Sequence, residues 1–136
     1  MSQEIRWKQR FENFEKARSK FHKVLASFKK EPKNEIYQIA LVQAFKFTYE
    51  LAWKTLKDYL RYGGIEANLP REVIKESFSK NIIQDGQTWI DMLEDRNLLA
   101  HIYDEAKALI AIEHIHQRYA QAIDQVFQYL KTKSKS

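Results

Sequence analysis

"IYQIALVQAFKFTYELAWKTLKDYLRY", residues 36–62, decides the fold. Wound as a helix, its apolar residues (Ala40, Leu41, Ala44, Phe45, Phe47, Leu51, Ala52, Trp53, Leu56 and Leu60) leave almost no polar face. A helix that is apolar nearly all round has to be wrapped by others. This run therefore belongs at the centre of a helical bundle, and Gly63-Gly64 marks its end, as glycine does after helix C-termini.

The flanking segments supply the wrapping. Before "KKEPKN" (29–34), Trp7, Phe11, Phe14, Phe21, Leu25 and Phe28 recur in steps of three and four, with Arg18 filling one slot. That is the stripe of a long amphipathic helix. A shorter helix is predicted from about Pro70 to Lys80, proline being tolerated in a first turn. "NIIQDG" (81–86) reads as a turn. Thr88, with Asp91 three residues on, offers a cap for a helix through Trp89, Met92, Leu93 and Leu99. Asp104 offers a cap for a last helix along Leu109, Ile112, His116, Tyr119, Ile123, Val126 and Leu130. "KTKSKS" (131–136) reads as a frayed basic tail. Strand signals and internal repeats are absent. The expectation is one domain over residues 1–136, an all-α up-and-down antiparallel helical bundle of four long helices and one short helix.

Composition narrows the function. A chain of 136 residues buries roughly two-thirds of its unfolded surface as a single domain. With no cysteine, disulfides, thiolate metal sites and cysteine nucleophiles are excluded. No run approaches the roughly 20 apolar residues that span a bilayer. The start, "MSQEIRWKQRFENFEK", lacks the apolar core of a signal peptide. A soluble cytoplasmic protein without membrane contact is expected. The net charge is +5, and residues 1–30 carry nine Lys/Arg against three Asp/Glu. That basic helix suits a polyanion or is simply a solvated face. Residues 87–105 are acidic, with Arg96 their only Lys or Arg.

Four features bear on chemistry. His116 lies on the last helix's apolar row and reads as a hydrogen-bonded core histidine. His22 falls in the basic helix and reads as exposed. His114 and His116 are two apart and so do not form an i, i+4 metal pair. No phosphate-binding glycine loop or zinc signature is present, and no cofactor or metal is expected. Glu50, Lys54 and Asp58 stand at i, i+4 and i+8. They form either a surface ladder or a charged strip that faces "RNLLAH" or a second subunit.

"RNLLAHIY", residues 96–103, combines a phosphate-gripping arginine, a histidine that titrates near neutrality and a tyrosine. In an unbroken helix Arg96 and Tyr103 share a face, whereas Arg96 and His101 point about 140° apart. Both can meet one substrate only if the helix breaks between them or if two subunits build the site.

Arg96, Asn97, His101 and Tyr103 resemble the motif of HEPN-domain proteins, in which Arg precedes His by a short spacer. Tyr two residues after the His is similar to the HEPN toxins paired with minimal nucleotidyltransferase antitoxins, a branch also described as nucleotidyltransferase substrate-binding proteins. "FTYELAWKTLKDYL" (47–60) and "IIQDGQTWIDMLEDRNLLAHIYDE" (82–105) resemble the same branch. The resemblance implies a homodimer whose two motifs meet in one cleft, and a metal-independent endoribonuclease acting on unpaired RNA. It implies Arg96 and His101 as catalytic, with Asn97 orienting the motif; from the charged strip and the cap read above, Glu50, Lys54 and Asp104 are expected to support them. It also implies that the cognate nucleotidyltransferase AMPylates Tyr103 and so neutralises a toxin. The alternative is a non-catalytic adaptor that presents a substrate to a nucleotidyltransferase.

Overall fold

The first two helices begin where a polar side chain caps the backbone. The computed structural model describes residues 2–99 and 105–135. Helix α1 spans Gln3–Lys30, and Ser2 caps it by accepting a hydrogen bond from the Ile5 amide at 3.1 Å. After the break at Pro32, Asn34 accepts from the amides of Ile36 and Tyr37 and opens α2, Glu35–Tyr62. Gly64 ends α2 with φ +87°. The Gly64 amide returns to the Arg61 carbonyl and the Ile65 amide to Leu60. This pair of bonds is the Schellman arrangement, which favours glycine at the left-handed position.

Helix α3, Pro70–Ser79, is the short one, with proline in its first turn. Helix α4, Gly86–Leu99, starts two residues before the cap expected at Thr88. The Asp85 carboxylate receives both the Thr88 amide, at 3.1 Å, and the Thr88 hydroxyl, at 2.7 Å. Asp85 is the better cap because a carboxylate accepts two bonds there and suits the positive end of the helix dipole. The last long element is α5, Glu105–His114, then a π-helical segment, Ile115–Tyr119, then α6, Ala120–Ser134. The cap expected at Asp104 lies outside the described residues. The tail stays helical to Ser134, where an unstructured end was expected. Lys131 reaches Glu15 of α1 at 2.7 Å and anchors it.

The described residues form the expected all-α bundle. Helix α2 is held against α1 along its length, and the Thr48 hydroxyl donates to the Ala17 carbonyl at 3.3 Å. Phe11 of α1 stacks on Phe127 of α6, with ring centroids 5.5 Å apart. Phe45 of α2 stacks on Tyr119 at 5.4 Å. Arg18, the polar interruption in the apolar row of α1, sits with its guanidinium 4.1 Å from the Phe127 ring centre and bonds Asp124 at 2.7 Å. It therefore covers the core edge with its stem while its charge is paired.

One expectation is corrected. The central helix is not wrapped all round, because Ile36, Ile39 and Phe47 are 74%, 65% and 64% exposed. One chain of this length places helices over only part of α2, and this face stays open.

Candidate functional site

The last turn of α4 delivers Arg96. Its Nε donates to Glu50 Oε1 of α2 at 2.6 Å, and its Nη1 donates to Asn97 Oδ1 at 2.8 Å. The other Glu50 oxygen accepts from Trp53 Nε1 at 3.0 Å. Glu50 is thus fixed by the indole and in turn fixes the guanidinium. A partly exposed ion pair of this kind contributes only about 0–1 kcal/mol, so its weight is geometric rather than energetic. No described residue bonds Nη2 of Arg96. A guanidinium is the planar fork of N–H groups that grips phosphate or carboxylate oxygens.

Beneath the arginine, Tyr49 is fully buried, with its ring centre 6.0 Å from the guanidinium carbon. Its hydroxyl has no hydrogen-bond partner among the described residues. Burial pushes this phenol far above its usual range, and Arg96 only partly opposes that. Tyr49 therefore stays protonated.

The charged strip of α2 does not form a ladder. Glu50 turns to α4, while buried Asp58 turns to α1, where Arg10 approaches at 2.9 Å and Arg6 at 3.8 Å. Lys54 makes no ion pair with a described residue. A buried carboxylate is stable only when paired, and that need separates Asp58 from the surface. Of the site residues expected from sequence, Arg96, Asn97 and Glu50 come together, and Lys54 takes no part in their contacts. His101, Tyr103 and Asp104 lie outside the described residues.

The described histidines differ in their surroundings. His22 is partly covered and bonds Asp124 at 2.8 Å. His116 meets Phe28 edge-on at 5.7 Å, and its Nδ1 is buried without a partner among the described residues. His114 instead joins a polar cluster that periodicity did not reveal. Its Nδ1 lies 3.0 Å from Asp95 Oδ2, the same oxygen that accepts from the Tyr119 hydroxyl at 2.5 Å. One turn earlier on α4, Asp91 accepts from Arg118 at 2.8 Å. The signal present in the sequence was the pair Asp91 and Asp95, four apart and leading into Arg96. Among the described residues, no three His, Asp or Glu side chains are arranged to hold a metal ion, and no helix is long and apolar enough to cross a membrane.

An apolar surface adjoins the site. Ile36, Ile39, Gln43 and Phe47 follow one another in steps of three and four along a face of α2. The same steps lead on to Glu50 and Lys54. Ile39 and Leu109 border a groove of about 640 Å³ between α2 and α5, and Leu98 and Ile110 are exposed nearby.

The bundle defines an all-α class that comparison with known proteins makes specific. The family described as nucleotidyltransferase substrate binding protein like matches residues 9–132. The chain belongs to that family. A protein of Haemophilus influenzae described as a probable ribonuclease HepT is 29% identical over 73 residues. That match covers 50% of each chain, so this chain spans about half the length of that curated relative. A Thermus thermophilus protein of known crystal structure is 30% identical, with a TM-score of 0.71, covering 82% of this chain and 98% of its own. The tri-AMPylated HEPN toxin of Shewanella oneidensis, solved in complex with MNT antitoxin, shares the fold. Its TM-score is 0.73 at 14% identity, covering 97% of this chain and 98% of that one.

Proposed function

We propose that this chain is the toxin of a toxin–antitoxin pair, a cytoplasmic metal-independent endoribonuclease that cuts unpaired RNA as a homodimer. The observation that carries this reading is the Arg96 guanidinium, held by Glu50 through Nε and by Asn97 through Nη1. A pure adaptor has no chemical need of an arginine oriented in this way, five residues before a histidine. The ribonuclease description of the Haemophilus relative points the same way.

In the proposed reaction the ribose 2′-oxygen attacks the adjacent phosphorus and the bond to the 5′-oxygen breaks. His101 moves the protons at these oxygens. Arg96 stabilises the charge that builds on the phosphoryl oxygens, while Asn97 and Glu50 orient it. Lys54 and Asp104 are assigned supporting places at the cleft. The products are a 2′,3′-cyclic phosphate and a 5′-hydroxyl. Unpaired RNA fits because duplex geometry resists the in-line approach.

The dimer reading is supported by the exposed face of α2, which runs directly into Glu50 and Lys54. A second copy seated there would cover the apolar strip and bring its own motif towards the same cleft. Lys16, Lys20, Lys23 and Lys30 on α1 are at least partly exposed and offer an electrostatic track for RNA. The partner we assign is a minimal nucleotidyltransferase antitoxin. It transfers AMP from ATP onto the Tyr103 hydroxyl with release of pyrophosphate, and the added negative charge and bulk compete with RNA for Arg96.

The test is expression of the chain alone and with a cognate minimal nucleotidyltransferase. Growth arrest and RNA cleavage are expected alone, persisting in excess chelator. Both should be lost in Arg96→Ala and His101→Ala, by on the order of 10²–10⁴-fold in rate. Co-expression should add whole AMP masses at Tyr103. A harmless wild-type chain that cleaves no RNA but binds the nucleotidyltransferase would establish the adaptor instead.

A further inference from the structure

The cluster on α4 and the π-helical segment has a geometry that simple helix packing does not require. His114 and Tyr119 are five residues apart, which in an α-helix would turn them about 140° from each other. The π-helical segment between them, Ile115–Tyr119, advances by i→i+5 hydrogen bonds and so brings such a pair to one side. Both then reach a single oxygen, Asp95 Oδ2, at 3.0 and 2.5 Å. A carboxylate oxygen there accepts; the Tyr119 hydroxyl donates to it, and the tautomer of His114 with its proton on Nδ1 completes the pair. The Tyr119 ring is fully buried and stacked on Phe45, which makes it the rigid member. Asp95 is the residue immediately before Arg96. His114 and Tyr119 come after residues 100–104. The three side chains therefore join the chain entering the motif to the chain leaving it.

We propose that Asp95, His114 and Tyr119 form a clamp that sets the register of α4 against the last helix and thereby positions Arg96 for its substrate. Its effect on cleavage rests on the ribonuclease reading; its effect on the backbone does not. All three are positioning residues, since none is required to touch RNA. A second tie, Arg118 to Asp91 and Thr88 at 2.8 and 3.1 Å, holds the start of α4 to the same segment. The bundle should therefore remain folded when the clamp is cut.

The test compares His114→Ala, His114→Asn and Tyr119→Phe in the full chain. The asparagine amide N–H can take the place of the Nδ1–H, whereas alanine offers nothing. His114→Ala should lower kcat by about 10²-fold, the scale of a small misplacement, with KM for RNA little changed. Amide hydrogen exchange should quicken at residues 96–99 and 105–110 while the melting temperature moves only slightly. His114→Asn should restore both rate and protection. Tyr119→Phe keeps the buried ring and should show the same effects more weakly; it decides the matter if His114→Ala does not fold. Unchanged exchange and unchanged kcat in His114→Ala overturn the clamp. So does an asparagine variant with restored protection but no activity, because His114 would then act through its own Nε2. If the wild-type chain cleaves no RNA, the ribonuclease reading fails, and the exchange measurements still decide the clamp.

Discussion

Arg96 is held by the Glu50 carboxylate as well as by Asn97, and that carboxylate is itself held by an indole. Two bonds, Arg96 Nε to Glu50 Oε1 and Trp53 Nε1 to Glu50 Oε2, occupy both oxygens. Glutamine has a single accepting oxygen and so cannot replace both. Glu50→Gln and Glu50→Ala should therefore both slow single-turnover cleavage of a labelled single-stranded oligonucleotide, the alanine by about 10²-fold. Circular dichroism should show the helix content kept, because the pair contributes only about 0–1 kcal/mol to folding. Arg96→Lys should be nearly as damaging as Arg96→Ala, since a point charge lacks the planar fork. Arg96 and Glu50 were both legible in the sequence as candidates. Their contact was one of the alternatives open for the charged strip of α2, but no local period could choose it, because it joins positions 46 residues apart. His114 and Tyr119 were hidden for a related reason. Each was read on an α-helical period, and the π-helical segment changes which side of the helix each one faces.

At the scale of the element, the ends of helices carry testable chemistry. Gly64 sits at φ +87° with open space where a Cβ would lie. A substitution there meets only the conformational penalty. Gly64→Ala should cost about 1–2 kcal/mol, read as a lower urea midpoint, and Gly64→Asn should cost less. Helix α4 adds a pH dependence. The hydrogen bonds from Thr88 hold the Asp85 carboxyl below its ordinary range, and the bond from Arg118 does the same for Asp91. Carboxyls depressed in the folded state favour folding wherever the unfolded chain is already ionised, above about pH 4–5. That contribution is lost as the pH falls through the lower folded values. Asp91→Asn should therefore lower the melting temperature at pH 7, and the gap to wild type should close as the pH falls below the ordinary carboxylate range. The first and last long helices were readable from three-and-four spacing, and the short one from its proline. The start of α4 was not, because Thr88 and Asp85 are both good caps and only the path of the preceding turn chooses between them.

For the whole molecule, the all-α bundle followed from the apolar run of residues 36–62, but its outer face did not. A period cannot distinguish a helix enclosed by its own chain from one completed by another, and Ile36, Ile39 and Phe47 are exposed here. If a second copy covers them, Phe47→Glu should give a folded monomer in sedimentation and abolish cleavage. The side chain is outside the core, so stability should change little. Charge reversal of Lys16, Lys20 and Lys23 should weaken RNA binding and flatten its salt dependence, by roughly 0.7 in logarithmic slope for each phosphate left without a lysine.

The apolar strip and Glu50 share one face of α2, and this arrangement bears on dosage. A chain whose cleft is finished only by a twin responds to the square of its own concentration when scarce. Halving the supply of free chain would then cut cleavage fourfold, and trace leakage from a poorly neutralised pool would do almost no harm. Titrated expression of the chain alone should accordingly show a threshold in growth arrest rather than a proportional decline. A tandem fusion of two copies, paired within one polypeptide, should remove that threshold.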